Sequence, residues 1–316
     1  MQFYREAFRA TVIVATFWVI SVAEAFAGAT PWIDIEVLNG MLVIPSDVGG
    51  VEGRSIIDTG ATSTAINGRF VKAEDLEFKD GRDIRVQGVA EVQERTTYRS
   101  VDATLFETPL TFKNIVDLNL GSPDLQLLIG ADFLSGYVIQ FDYPNERMRL
   151  VSRDSIELKK LKNIKSKRSR ESGSTLVQLK LNGKIKSWLT LDTGANGGLV
   201  ISRQLAHRLD WVDQFETELD RVAGVNSTAV MEHFRVPAVQ IGPFEIANAA
   251  VSIPAENEDM AMFDRSRSSG SRLRERNASD GLLGYDILKH FIVTVDYGKG
   301  YVHLSPGQPA GSTGGD

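Results

Sequence analysis

The chain has 316 residues, a formal net charge of −6 at pH 7 and no cysteine. The mildly acidic balance disfavours nucleic acid as a partner, and the absence of cysteine excludes disulfides and a cysteine nucleophile. Without a short N-terminal segment, the length suits two lobes of ordinary domain size.

Residues 1–27 have the pattern of a secretory signal peptide. Arg5 and Arg9 supply the positive charge, 11–23 form a short apolar run, and Ala25-Phe26-Ala27 fits the cleavage pattern. We therefore expect an exported mature chain that starts at Gly28, and the lack of cysteine favours a bacterial periplasm. The alternative is a retained N-terminal anchor, although the run is short for a transmembrane helix.

The first lobe is predicted over residues 28–153, mostly from short strands. Residues 33–37 alternate apolar and polar side chains, and 41–44 and 54–57 flank Gly49-Gly50 as a hairpin would. A short helical pattern follows. The elements predicted beyond this hairpin are a helix over 68–78 and strands at 84–86, 97–105 and 110–114.

The second lobe is predicted over 175–304 and repeats this order. Asn182-Gly183 between apolar stretches predicts a tight type I′ hairpin, because both residues tolerate positive φ. The predicted elements are strands at 175–179, 185–191, 232–240 and 249–253, and a helix at 202–210. The two lobes together predict an all-β protein.

Three polar segments separate or follow the lobes. Residues 154–174 are rich in Lys and Arg and are interpreted as a solvated basic linker. The alternative is weak contact of this segment with anionic lipid headgroups at a membrane surface. Residues 256–279 are interpreted as a mobile insertion, and the Gly- and Pro-rich tail 305–316 as disordered.

One tetrapeptide occurs twice in the same setting. Asp58-Thr59-Gly60-Ala61 and Asp192-Thr193-Gly194-Ala195 each end an apolar strand. Each is followed by a matched distal block, at 127–143 and at 281–297. The chain is therefore an internal duplication, and each copy carries one carboxylate that could join the other in a single acid–base site.

The residues around each Asp suit such a site. A glycine lets the backbone turn sharply and lets the other lobe approach closely, and a threonine hydroxyl can hydrogen-bond across the junction. Two neighbouring carboxyls would share one proton, since like charges a few Å apart do not both ionise readily. The predicted supporting residues are Thr59, Gly60, Thr193 and Gly194.

These motifs resemble those of the pepsin-like and retroviral-type aspartic peptidases. Leu128-Ile129-Gly130 and Leu282-Leu283-Gly284 match the apolar-apolar-Gly segment that this family places beneath the catalytic loop. The resemblance implies two similar β-barrel lobes with a catalytic cleft between them and Asp58 and Asp192 as the catalytic pair. It also implies an aspartic endopeptidase with a polypeptide substrate and neither a cofactor nor a metal.

The family also closes over its substrate with glycine-containing hairpin flaps. Gly88 and Gly224 lie at similar offsets after the two aspartates and are the flap candidates. The alternative is an ordinary hairpin or bulge glycine at each place. Tyr98 is no clear counterpart of the flap tyrosine of pepsin.

Other functions stay open at this point. The same fold could hold a peptide without cutting it, as a binding or scaffold protein. Two lobes in one chain favour a monomer, and a homodimer that pairs lobes between molecules is the alternative. The four histidines show no metal-ligand spacing, and Asp132 and Asp286 are interpreted as capping or surface residues.

Overall fold

The computed structural model describes residues 28–87, 92–169, 172–223, 228–258, 260, 263 and 279–307. The predicted signal peptide, both flap glycines and most of the insertion lie outside these residues. Ser305 and Pro306, predicted to begin the tail, end a strand instead.

Short strands account for most of the first lobe, and apolar or alternating sequences form them. They are β1 (Ile33–Asp34), β2 (Glu36–Leu38), β3 (Met41–Val48), β4 (Val51–Ile57), β5 (Ala65–Asn67), β6 (Ile84–Gln87), β7 (Val92–Arg95), β8 (Thr97–Leu105), β9 (Thr108–Leu118), β10 (Leu125–Ile129), β11 (Val138–Asp142) and β12 (Arg147–Val151).

The second lobe has the same order of strands. They are β13 (Ser166–Arg168), β14 (Thr175–Leu181), β15 (Ile185–Leu191), β16 (Leu199–Ile201), β17 (Glu218–Ala223), β18 (Thr228–Ile241), β19 (Phe244–Pro254), β20 (Gly281–Leu283), β21 (Phe291–Asp296) and β22 (Tyr301–Pro306). The helices are short: α1 (Gly68–Ala73), α2 (Ala131–Leu134), α3 (Leu158–Leu161), α4 (Arg203–Arg208) and α5 (Tyr285–Leu288), with 3₁₀ turns at Tyr143–Asn145 and Arg153–Ser155.

Each lobe is a closed barrel of six strands. In the first lobe the hydrogen-bonded order is β3-β4-β10-β5-β9-β8, and β8 pairs back onto β3. In the second lobe the order is β14-β15-β20-β16-β19-β18, and β18 pairs back onto β14. Closure pairs the first and last strands of each barrel, and the predicted all-β class with two similar barrel lobes is confirmed.

A third sheet joins the lobes. Its order is β1-β12-β11-β21-β22, so each lobe contributes its last two strands. The central pair is antiparallel, with Phe141 opposite Val293 and Val138 opposite Asp296. Because Phe141 and Val293 are fully buried, this pair joins the cores of the two lobes and fixes one lobe against the other.

The basic segment 154–174 has more structure than a solvated linker. It contains α3 and β13, and Ser166 of β13 pairs with Val177 of β14. Lys167 places its ammonium 4.2 Å from the centre of the Trp188 ring. Backbone pairing and cation–π contacts therefore hold part of this predicted linker on the second lobe.

The predicted turn at Asn182-Gly183 is confirmed. Both residues have positive φ, 46° and 64° respectively, and Lys184 N donates to Leu181 O at 3.1 Å. The turn joins β14 to β15 in direct register, with Leu181 opposite Ile185. This register brings the end of β15 to the junction between the lobes.

Candidate active site

The two repeated aspartates lie at equivalent strand ends. Asp58 follows β4 and Asp192 follows β15. The backbone N–H of Asp58 donates to Ile129 O and that of Asp192 to Leu283 O, both at 3.0 Å. The distal block of each copy therefore positions the aspartate of the same copy, which explains why the two motifs occur together.

The glycine that ends each distal block allows the aspartate loop to pack against it. A Cβ built on Gly130 would lie 2.6 Å from the carbonyl carbon of Ser63, and one on Gly284 would lie 2.5 Å from Ala195 O. Real Cβ atoms do not approach other atoms so closely. The Leu-Ile-Gly and Leu-Leu-Gly segments thus need glycine for close backbone approach.

The carboxyls of the two lobes lie against each other's glycine turn. A Cβ on Gly60 would lie 2.5 Å from Asp192 Cγ, and one on Gly194 would lie 2.6 Å from Asp58 Cγ. Any side chain at either glycine would displace the opposite carboxyl. The predicted need for Gly60 and Gly194 follows from this contact.

Two threonine side chains cross between the lobes. Thr59 Oγ1 donates to Leu191 O at 3.0 Å and accepts from Thr193 N at 2.9 Å. Thr193 Oγ1 donates to Ile57 O at 2.7 Å and accepts from Thr59 N at 3.1 Å. Both threonines are buried, so these four reciprocal bonds hold the two aspartate loops in register.

A cavity of about 1150 Å³ opens over the pair. Asp58 and Asp192 both line it, together with residues of both lobes. This is the place where a ligand can reach both carboxyls at once.

The match to known proteins covers the second lobe. Residues 177–287 match a family model described as aspartyl protease. This range contains Asp192-Thr193-Gly194 and Leu282-Leu283-Gly284, and the first lobe repeats its architecture. The chain has the two-lobe fold of the pepsin-like and retropepsin-like aspartic peptidases. No curated protein matches it.

Burial affects the protonation of both aspartates. It raises the pKa of Asp58, against the lowering effect of backbone N–H groups of Ala61 and Gly60. Burial also raises the pKa of Asp192 well above its ordinary value, and the charge of Asp58 raises it further. The two carboxyls therefore titrate as one pair, and burial and mutual repulsion favour the state in which they share a single proton.

Backbone N–H groups of the glycine turns face both carboxyls. Asp58 Oδ1 accepts from Gly60 N at 2.8 Å and from Ala61 N at 2.9 Å. Asp192 Oδ1 accepts from Gly194 N at 2.8 Å, and the N–H of Ala195 also lowers the pKa of Asp192. These donors favour the charged form of each carboxyl and so oppose the effect of burial.

The two aspartates of the distal blocks have different roles. Asp132 accepts from Thr64 Oγ1 at 2.7 Å and from Thr64 N at 2.9 Å, and so holds the loop that follows Asp58. In the second lobe Gly198 occupies the place of Thr64. Asp286 instead binds Lys289 Nζ at 2.7 Å and lines the cavity.

The flap candidates fall between the strands of two hairpins. Gly88 lies between β6 and β7, and Gly224 between β17 and β18, in segments outside the described residues. The flap roles of both glycines stay predictions. Tyr98 is bound elsewhere, since its hydroxyl donates to Asp117 Oδ2 at 3.0 Å.

Several residues that line the cavity belong to no motif that the sequence analysis found. Met231, Met260 and His233 line the cavity from the second lobe. His233 Nδ1 lies 2.8 Å from Ser252 Oγ. Among the described residues, no cluster of three or more His, Cys, Asp or Glu side chains is placed to bind a metal ion.

Buried tyrosines lie near the pair. Tyr143 and Tyr297 end the two distal blocks at equivalent positions, and both are buried. Burial raises the pKa of each hydroxyl. Both tyrosines therefore stay neutral beneath the aspartates.

The hydrogen bonds of Thr59 and Thr193 across the junction predict that removing either hydroxyl destabilises the fold. Replacing Thr59 or Thr193 by Val removes a hydroxyl but keeps its volume, and leaves a buried carbonyl and a buried N–H without a partner. We expect each variant to lower the free energy of unfolding by about 1–3 kcal/mol, measured by urea denaturation. Thr111→Val is the control, because Thr111 is exposed and its hydroxyl binds only Asp102. Equal losses of unfolding free energy in all three variants would contradict a special role for these hydrogen bonds between the lobes.

The raised pKa of Asp192 predicts a stability cost above pH 4. Its folded-state pKa exceeds its unfolded value, so the free energy of unfolding falls as pH rises from about 4 towards the folded pKa. Asp192→Asn should remove this loss and raise Tm at pH 7 by about 2–4 °C, equivalent to about 1 kcal/mol.

The gain should shrink at pH 4, where the folded carboxyl is largely protonated and the unfolded one is about half protonated. Calorimetry at both pH values checks this, with the exposed Asp213→Asn as control. A gain that persists at pH 4 would mean that titration of Asp192 is not its cause.

Proposed function

We propose that the protein is an aspartic endopeptidase in which Asp58 and Asp192 act on one water molecule. The observation that carries the proposal is the mutual approach of the two carboxyls, each against the glycine turn of the other lobe. The aspartyl-protease family match over 177–287 supports the same reaction class.

The asymmetric pair supplies both proton steps of peptide hydrolysis. Ionised Asp58 takes a proton from water as the water oxygen attacks the peptide carbonyl carbon. Protonated Asp192 donates its proton to the carbonyl oxygen, which gives a neutral tetrahedral intermediate. Asp58 then donates a proton to the amide nitrogen and the C–N bond breaks. A hydroxyl of the tetrahedral intermediate returns a proton to Asp192 as its C=O bond re-forms, which gives a carboxylic acid and an amine.

The cleft suits an extended chain. Residues of both lobes line it, among them Arg95 of β7 and Val222 of β17. An extended peptide there gains main-chain hydrogen bonds as an added strand does, and side-chain pockets add specificity. A polypeptide is therefore the proposed substrate and a monomer the proposed functional unit.

Export remains a prediction of the sequence. The signal peptide over 1–27 lies outside the described residues. In the part of the chain that the structure describes, no helix combines the length and hydrophobicity needed to cross a membrane.

The catalytic roles are tested by single substitutions. Asp58→Asn and Asp192→Asn should each lower kcat by about 10³-fold or more, because members of one catalytic unit are not additive. Cleavage of a denatured protein or a peptide library by the purified mature chain is the measurement, with Asp213→Asn as control. Near-normal cleavage by either variant would overturn the shared-site mechanism. Tight peptide binding without cleavage in the wild type would favour the scaffold function.

The pH dependence is a second test. Ala61 and Ala195 follow the two Asp-Thr-Gly turns and carry no hydroxyl that could stabilise a carboxylate. Since burial raises both pKa values, we expect an optimum at about pH 5–7, above the range implied by the pepsin pair at about 1.5 and 4.7.

Ala61→Ser and Ala195→Ser should move the pH–rate profile towards lower pH, because a hydroxyl donor favours the ionised form. An optimum near pH 3 in the wild type, or an upward shift in the serine variants, would refute this explanation.

A further inference from the structure

The sheet that joins the lobes has one face directed away from the cores of both barrels. Along β11, Ile139 and Phe141 are buried in the main core, whereas Gln140 between them points to the other side and is only half-buried. None of the described residues of this sheet or of α3 lines the cavity over the aspartates. A partner bound to this outer face would therefore leave the cavity open.

Helix α3 lies on the outer face and carries exposed basic side chains. Leu158 of α3 is buried together with Val138 and Val151 of the sheet. His303 Nδ1 of β22 lies 2.8 Å from Leu161 O. The side chains here that face solvent are basic apart from one leucine, which is 53% exposed; they are Lys159, Lys160, Leu161 and Lys162.

The positive charge of this region is not balanced by its own carboxylates. Residues 158–168 contain six Lys or Arg and no Asp or Glu, although the whole chain has a net charge of −6. Lys160 binds Glu157 at 2.5 Å. In the part of the chain that the structure describes, Lys159 and Lys162 form no ion pair. The two lysines are thus free to bind an external anion.

Aromatic rings accompany the basic side chains on the same face. Lys162 Nζ lies 4.6 Å from the centre of the Tyr301 ring. Near the other edge of the sheet, the guanidinium groups of Arg147 and Arg149 lie 4.6 and 4.4 Å from the centre of the Trp32 ring. Tryptophan and tyrosine are enriched where a membrane meets water. Rings, cations and an exposed leucine together suit the boundary between lipid headgroups and acyl chains.

The chain also enters the fold beside α3. Gly28 O accepts from Ser152 N at 2.8 Å, and Ala29 packs with Leu158 and Tyr301. The apolar run 11–23 is separated from Gly28 by four residues, so the two are at most about 18 Å apart. A membrane that holds this run, either during export or as an anchor, therefore lies next to α3.

We propose that this outer face docks on the surface of a membrane that contains anionic phospholipids. Lys159 and Lys162 bind headgroup phosphates, and Leu161 enters the boundary with the acyl chains. The cavity then faces away from the membrane, where polypeptides can reach it. The docking does not depend on the proposed peptidase activity, so either can fail without the other.

Vesicle binding of the mature chain, which contains every described element, tests the proposal. We expect it to cosediment with phosphatidylcholine vesicles that contain about 30 mol% phosphatidylglycerol and not with pure phosphatidylcholine, and to be released at about 0.5 M NaCl. Each basic residue near such a surface changes binding by about fivefold. The double variant Lys159→Gln/Lys162→Gln should therefore bind about 25-fold more weakly.

The matched control is Lys72→Gln/Lys79→Gln, which removes the same charge from exposed positions of the first lobe and should bind within about twofold of wild type. Leu161→Ser should weaken binding by about tenfold, because an exposed leucine contributes only if it enters the lipid. Equal losses in the two double variants, or equal binding to both kinds of vesicle, would overturn the proposal.

Two other occupants of the face would give different results. If soluble polyphosphate displaces the protein from vesicles and Leu161→Ser binds them like wild type, the face is a general polyanion site and the lipid proposal fails. Light scattering without vesicles identifies the other case. A dimer of wild type that Lys159→Gln/Lys162→Gln dissociates would mean that a second copy of the chain covers this face, which would also refute membrane docking.

Discussion

The approach of two buried carboxyls across the lobe junction is the constraint on which the site depends. Burial alone disfavours charge on both, and the proximity of Asp58 disfavours it further on Asp192. Such a pair persists only if the surrounding structure holds it rigidly. The crossed bonds of Thr59 and Thr193 and the joined strands β11 and β21 provide this rigidity.

The duplicated fold yields an asymmetric site. The backbone bonds and glycine contacts are nearly the same in both halves, which keeps the carboxyls at equivalent places. The loops behind them differ, since Thr64 is tied to Asp132 in one lobe and Gly198 leaves Asp286 free to bind Lys289 in the other. A reaction that needs one proton acceptor and one donor benefits from such unequal surroundings.

The connections at the walls of the cleft differ in length as well. Residues 119–124 join β9 to β10 and bring Leu120 to the cavity, whereas 255–280 join β19 to β20 and bring Met260 beside Met231. A duplicated scaffold can thus keep one set of residues for chemistry while the loops around it change. Loops that surround a rigid sheet are suited to such change, because they carry little of the core.

The sequence by itself determined the repeat, the two Asp-Thr-Gly turns, the all-β class and the Asn182-Gly183 hairpin, because local turn chemistry and strand patterning fix these features. It did not predict the paired strand at 166–168, because the composition there indicates only positive charge. The ring of Trp188, which Lys167 contacts, lies about 20 residues further along the chain. The raised pKa values of both aspartates and the placement of Met260 were likewise decided by tertiary structure alone. Burial, reciprocal hydrogen bonds and side-chain packing join residues from separate parts of the chain, and local sequence patterns do not predict such contacts.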